Sequence, residues 1–211
     1  MIFDDKSILI VRVNFQDFYQ DILFFKEILN ESEKSGPEPF IIRRGILRCL
    51  LSNLTGLAYQ EIDLVYNQYG KPFLKSKPQI CFNLSSSEGK IVYAFAYECD
   101  VGIDIQYRGM NVHDWDVCSY FLSQEELSQI SMLSEHHEKQ ILFYDLWAQK
   151  ESILKTTGKG FSGNFFQKSL NTRVLPCDEN YSLAISSQKY LPVSIKSIAS
   201  LFEICPTVPQ S

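Results

Sequence analysis

The sequence predicts an α+β protein built as two similar α+β halves, and three features predict it. Short β-branched runs and helical runs come in blocks and not as strict β-α-β units. The sheet signal is concentrated in one block, residues 62–106. The order strand, helix, strands is then followed by helices and strands again, which places a seam near residues 98–110. No repeat is legible in the letters, so the halving rests on element order alone.

Each element has its own signal. Residues 7–13, "SILIVRV", are β-branched and read as a first strand, and "DFYQDILFFKEIL" has apolar residues at helical spacing. "NESEKSGPEPF" breaks the pattern. "FIIRRGILRCLLSNLTG" then repeats apolar residues every three to four positions and stops at Gly56, as a core helix does. Within residues 62–106 the runs "YGKP", "KSKP", "SSSEGK" and "ECD" are turn chemistry, so the block reads as several strands joined by tight connections. Ser123 and Glu126 form a capping-box signature. A long helix from about Glu138 to Thr157 follows, with Gly158 as its C-cap, and "YSLAISS" and "VSIKSIASLFEI" supply closing strands.

Composition bounds the function. With 45 % hydrophobic and 13 % aromatic residues in 211, the chain can bury a sizeable core, which excludes a disordered segment. The net charge of −5 does not favour a polyanion, so no nucleic-acid partner is expected and a phosphate ligand needs a local cationic pocket. Cys49, Cys81, Cys99, Cys118, Cys177 and Cys205 are scattered without a C-x-x-C pair. His113, His136 and His137 make no ligand spacing with them, so they read as reduced structural thiols. The N-terminus opens with acids and no apolar run approaches the roughly 18 residues a membrane span needs, so a cytoplasmic protein with no membrane partner is expected.

Five stretches carry possible chemistry. In "VGIDIQ", Asp104 and Gln106 share one strand face and offer oxygen ligands suited to a hard cation, although a strand-ending Asp needs no function. In "WAQKESILKTTGKG", Glu151 and Lys155 are i and i+4 on one helix face, with Leu146, Trp147, Ile153 and Leu154 available for the buried side. A surface pair of this kind is worth only a few tenths of a kcal/mol, but the glycine-rich cationic stop after it could let backbone approach a phosphate. In "YGKPF", Gly70 and Pro72 hold Lys71 at a rigid bend, and "FNLSSSEGK" places Ser85 and Ser86 in a loop of anion-binding type; both are also ordinary turns. Arg44 and Arg48 lie four apart on a helix, where stacked stems at the core edge are the usual explanation.

Together, in the order YGKP, FNLSSS, GIDIQ, WAQKESILKTTGKG, these stretches resemble one family, the 4′-phosphopantetheinyl transferases, and within it the surfactin-type branch. "LWAQKESILKTTGKGF" matches the family pattern W-x-x-K-E-[AS]-x-x-K-x-x-G-x-G throughout, and "GIDIQ" matches four of the five positions of G-[IV]-D-[IV]-E. The resemblance implies a pseudo-dimer of two α+β halves, each an antiparallel sheet packed against a long helix. Residues 1–100 would contact the nucleotide end of coenzyme A, residues 101–211 would carry the metal and catalytic groups, and the active site would lie at the seam.

By the same resemblance, the reaction moves the phosphopantetheine arm of coenzyme A to a serine of an apo acyl or peptidyl carrier protein and releases adenosine 3′,5′-bisphosphate. Asp104, Gln106 and Glu151 are then the Mg2+ ligands, Glu151 the general base, and Lys155 the cation that binds the pyrophosphate and steadies the leaving phosphate. Gly70, Lys71, Pro72, Ser85, Ser86 and Lys150 are expected at coenzyme A, with Arg44 and Arg48 as substitutes for a missing basic run toward the 3′-phosphate. Two positions depart from the family: Ser86 stands where it has histidine, and Gln106 where it has glutamate, which removes a charge and weakens Mg2+ binding. The carrier is expected near "YFLSQEEL" or "FSGNFF", and the chain as a monomer. The competing expectations are a non-catalytic module that binds coenzyme A or a carrier, and a metal-dependent nucleotide pyrophosphate hydrolase.

Overall fold

The computed structural model describes residues 5–109, 121–158 and 170–205. β1 (Ile8–Asn14) is buried on both faces, with Ile8 and Ile10 on one side and Leu9, Val11 and Val13 on the other. Such a strand needs a partner on each edge for its backbone groups, and it has one on each. A 3-10 turn over Phe15–Asp21 then runs into α1 (Ile22–Ile28), where the periodicity predicts a single helix. The stretch read as a break contains one helical turn, α2 (Glu31–Lys34), closed by a reciprocal Asn30 and Glu33 capping box.

The helix α3 (Glu38–Thr55) starts behind Pro37 and ends at Gly56, whose φ of 74° is the left-handed stop predicted for it. β2 (Leu64–Tyr66) and β3 (Pro72–Leu74) form a separate hairpin, followed by β4 (Ile80–Ser87), β5 (Lys90–Tyr97) and β6 (Val101–Tyr107). α4 (Gln124–Met132) carries the predicted Ser123 and Glu126 cap, and α5 (His136–Thr157) ends at Gly158 with φ 62°. β7 (Asn171–Leu175), β8 (Tyr181–Ser187) and β9 (Val193–Ile198) complete the order.

The first sheet runs β4-β5-β1-β9 and is mixed: β1 is antiparallel to β5 but parallel to β9, with Ile8 opposite Val193 and Val13 opposite Ile198. The expectation of purely antiparallel sheets therefore fails for this one, because the edge of β1 is filled by a strand from the far end of the chain. The second sheet, β6-β8-β7, is antiparallel throughout. The fold class is α+β.

Strand alternation sorts the core into layers. Leu9, Phe82, Tyr93 and Phe95 pack with Ile42, Ile46 and Leu50 of α3 on the outer face of the first sheet. Ile8, Ile10, Val92 and Ala94 meet Ile103, Ile105, Leu183 and Ile185 between the sheets. The other face of the second sheet is covered by α5. A smaller cluster of Leu122, Ile130, Phe143 and Tyr144 ties α4 to α5.

Where the sheets meet, β6 presents its unpaired edge to the first half of the chain, and side chains complete it. Asn83 Oδ1 accepts the Ile103 N–H at 3.1 Å, Ser87 Oγ accepts that of Tyr107 at 2.9 Å, and Lys71 Nζ donates to the Val101 carbonyl at 3.2 Å. Among the described residues no helix is long and apolar enough to cross a membrane. Cys49, Cys81, Cys99, Cys177 and Cys205 are free thiols.

Candidate active site

The site begins with a close approach of α5 to β6. Ala148, Ser152 and Thr156, one helical turn apart, put a narrow stripe of small buried residues on the sheet, and Gly102 faces that stripe with no side chain at all. A Cβ on Gly102 would lie 2.2 Å from the Ser152 carbonyl oxygen and 2.3 Å from the Thr156 nitrogen. Ser152 Oγ bonds Ser186 Oγ at 2.8 Å and Thr156 Oγ1 donates to the Ser186 carbonyl at 3.1 Å, which fixes the helix rotation against β8. The bulky residues expected to form the buried side divide otherwise: Leu154 is buried, while Leu146 and Trp147 pack toward α4.

This contact sets the charged groups. Asp104, two residues along the same face from Gly102, is 1 % exposed. Its Oδ1 accepts from Ser85 Oγ at 2.8 Å and from Lys155 Nζ at 2.5 Å, and its Oδ2 accepts from Gln106 Nε2 at 2.7 Å. Lys155 also donates to Ser85 Oγ at 2.9 Å. Glu151, one turn before Lys155, is half buried; burial and the charge of Asp104 push its pKa above the usual carboxylate range, against a smaller opposing pull from Lys155.

Opposite the helix stands the β2-β3 hairpin. Gly70, Lys71 and Pro72 form one wall of a cleft of about 220 Å3, Glu151, Lys155 and Gly158 the other, and Asn83 reaches in from β4. The hairpin is docked on the C-terminus of α5: Asn67 Nδ2 donates to the Gly158 carbonyl at 2.9 Å, and Lys71 Nζ to the Thr156 carbonyl at 2.9 Å, where a cation meets the negative end of the helix dipole. Burial lowers the pKa of Lys71. The structure thus brings together Asp104, Gln106, Glu151, Lys155, Ser85, Gly70, Lys71 and Pro72, with the Lys71 ammonium committed to protein carbonyls.

Four expected coenzyme A residues lie elsewhere: Lys150, Arg44, Arg48 and Ser86. Lys150 is 6 % exposed and turns to α4, where Glu126 holds its ammonium at 2.9 Å; consecutive helix residues point about 100° apart, so it diverges from Glu151. Arg48 is a buried staple: Glu33 takes its Nε and Nη2 at 2.8 Å, and the Tyr59 and Ile62 carbonyls take its Nη1 at 2.8 Å. Arg44 also reaches Glu33, at 3.5 Å, and lies over the rings of Phe40 and Tyr66. Its Nη1 is buried with no hydrogen-bond partner among the described residues.

Ser85 and Ser86 lie on β4, paired with Val92 and Ile91 of β5, and not in the expected anion-binding loop, so they point to opposite faces. Arg43, which the sequence reading passed over, is the arginine that meets Ser86, its Nη1 donating to Ser86 Oγ at 2.9 Å. It lines a small cleft with Arg44 and Leu84, and a second with Ser86 and Tyr19. No pattern in the letters singles it out. Lys159 and Gly160 of the cationic stop, and the "FSGNFF" stretch, lie outside the described residues.

Comparison with known proteins speaks to the same residues. The family model described as the 4′-phosphopantetheinyl transferase superfamily matches residues 100–191, which hold Asp104, Glu151 and Lys155. A putative 4′-phosphopantetheinyl transferase from Synechocystis sp. is 30 % identical over 181 residues, covering 83 % of this chain and 69 % of that protein. The 4′-phosphopantetheinyl transferase HetI from Nostoc sp. is 30 % identical over 126 residues, and Sfp from Bacillus subtilis 31 % over 117. Those two alignments span about half the length of each relative, 53 % and 50 %. An alignment that runs across both sheets, with a family model over the strand and helix that frame the cleft, makes this chain a member of the 4′-phosphopantetheinyl transferase superfamily.

Proposed function

We propose that the chain transfers the 4′-phosphopantetheine arm of coenzyme A to a serine hydroxyl of an apo acyl or peptidyl carrier protein, releasing adenosine 3′,5′-bisphosphate. One observation carries the reading: the Lys155 ammonium sits between Asp104 and Ser85 at the edge of a cleft that also holds Glu151. Phosphoryl transfer asks a protein for positioning and charge neutralisation more than for covalent help, and this cluster offers both.

In that reaction the carrier serine Oγ forms a bond to the phosphorus of the pantetheine side while the P–O bond to the bridging oxygen breaks. Glu151, half buried on the wall of the cleft one turn before Lys155, is the carboxylate that would take the serine proton. Lys155 stabilises the charge that collects on the leaving phosphate. Ser85 and Gln106 hold the two oxygens of Asp104 in fixed directions.

A Mg2+ ion fits the donor set. Asp104 faces Glu151 closely enough to raise its pKa, which is the repulsion a cation relieves. Among the described residues no group of three or more His, Cys, Asp or Glu is arranged for a metal, so Asp104, Glu151 and the Gln106 amide would hold the ion with help from substrate phosphates and water. When bound, it would supply charge neutralisation for the pyrophosphate.

We read residues 1–100 and 101–211 as the halves of a pseudo-dimer. β1, α3 and the β4-β5 hairpin repeat as β6, α5 and the β7-β8 hairpin, and the sheet orders β1-β5-β4 and β6-β8-β7 correspond. That repeat supports a monomer with the site between its halves. Coenzyme A would enter along Gly70, Lys71 and Pro72, with Arg43 and Ser86 beyond them. Intact-mass analysis of apo carrier proteins incubated with the protein, coenzyme A and Mg2+ tests the proposal. One added phosphopantetheine arm, absent with EDTA, is the expected result. Coenzyme A binding without transfer to any carrier in a broad panel, or its cleavage without an acceptor, would overturn it.

A further inference from the structure

A cavity of about 360 Å3 lies apart from the cleft of the proposed reaction. It opens where the two sheets end, and on the inter-sheet side Val92 of the first sheet and Ile105 of β6 give it an apolar floor. Ile105 belongs to the inter-sheet face of β6, whereas Asp104 and Gln106 project to the α5 face, so the strand separates the cavity from the acids of the site.

The charges at its mouth are unevenly matched. Lys90 is paired with Asp178 and lies over the Tyr181 ring. Glu203 turns its carboxylate to the backbone N–H groups of Ala199 and Ser200 at 2.9 and 3.1 Å. Arg12 meets no carboxylate within ion-pair distance among the described residues; its guanidinium donates to Ser197 Oγ at 3.3 Å. One guanidinium with donors to spare above an apolar floor, in a cavity within the roughly 300–1,000 Å3 usual for ligands, is a recognisable combination.

We propose that this cavity binds a small amphipathic monocarboxylate, with its carboxylate on Arg12 and its apolar body on Val92 and Ile105. A planar guanidinium fork matches a carboxylate. Arg12 is the lining cation without an ion pair among the described residues, and with its field shared by Asp178 and with Glu203 nearby it favours a monoanion over a doubly charged phosphate ester. The site is separate from the coenzyme A cleft and does not depend on the reaction proposed there.

Titration calorimetry with octanoate on the full chain tests it, with phenyl phosphate as the competing class. Saturable octanoate binding is expected, unaffected by saturating coenzyme A. Arg12→Gln should weaken it about tenfold or more, the loss of a charge-assisted contact. Ser197→Phe, at an exposed position on the rim, should block it by filling the mouth, and serves if the Arg12 variant folds poorly. Absence of saturable octanoate binding, tighter binding of phenyl phosphate, displacement by coenzyme A, or unchanged affinity in both variants would each overturn the proposal.

Discussion

Gly102→Ala is the sharpest test of how this fold makes its site. The added methyl would stand 2.2 Å from the Ser152 carbonyl oxygen, 2.3 Å from the Thr156 nitrogen and 2.6 Å from Thr156 Oγ1. The first two are helix backbone, so no rotamer change removes the clash, and contacts under 3.0 Å are essentially never seen for a real Cβ. The helix must therefore withdraw from β6 by about 1 Å, a distance at which misplaced reacting groups lose on the order of a hundredfold in rate. The shift falls directly on the site, since Glu151 precedes Ser152, Lys155 precedes Thr156, and Asp104 is the next residue on the face of Gly102. Overpacking of this kind costs about 1–3 kcal/mol, and each kcal/mol lowers Tm by about 2–4 °C in a chain of this size. The assay is initial transfer rate at saturating coenzyme A, well below the variant's Tm, beside a thermal melt. Gly89→Ala is the control, because Gly89 has φ 80° but open space around its Cβ position and should lose stability without losing rate. A Gly102→Ala protein that transfers within about threefold of the parent rate would refute the argument that backbone contact sets the spacing of the acids.

Three other outcomes follow from the contacts. Lys155→Met removes the cation shared by Asp104 and Ser85, and transfer should fall about 10²–10³-fold by intact mass; parent-like turnover would exclude Lys155 from the chemistry. Gln106→Glu replaces an amide that donates to Asp104 with a second carboxylate, so the metal-free protein should melt at lower temperature while the Mg2+ needed for half-maximal rate falls severalfold. A higher Mg2+ requirement would place Gln106 outside the ligand set. Arg48→Ala strips a buried carboxylate of its partner and should cost about 3–5 kcal/mol in urea denaturation, with KM for coenzyme A unchanged; a tenfold rise in KM would return Arg48 to the substrate.

Sequence order and structure agree where the signal is local. Gly56 and Gly158 end their helices because each must adopt positive φ, and Ser123 with Glu126 caps α4 because both hydrogen bonds close within one turn. The cleft was legible through the family resemblance, which drew Gly70, Lys71 and Pro72 to Glu151 and Lys155; periodicity alone puts only Glu151 and Lys155 on one helix face. What was not legible depends on partners distant in the chain. Nothing in "VSIKSI" says that it joins β1 in parallel, and β7, "NTRVL", is too short and polar to announce itself. Arg48 reads as a spare cation until Glu33 appears beneath it, in a stretch that looks like a break. Lys150 is the instructive case, because its divergence from Glu151 follows from helix geometry, but its motif position drew it to the substrate.

The motifs of the first half that look like ligand loops also hold β6 in place, and Asn83 shows how the two roles meet. It is buried, reaches the cleft, and accepts the Ile103 N–H on the edge that no strand covers. Asn83→Ala should leave that amide buried and unpaired, at about 1–3 kcal/mol. The damage should not stay local, since Asp104 follows Ile103 and takes its direction from β6 and from Ser85 two residues beyond Asn83 on β4. The expected result is faster hydrogen exchange at the Ile103 amide together with a lower transfer rate and an unchanged KM for coenzyme A. If KM rises while exchange at Ile103 stays as slow as in the parent, Asn83 serves the ligand and not the strand, and the edge of β6 is held by Ser87 and Lys71 without it.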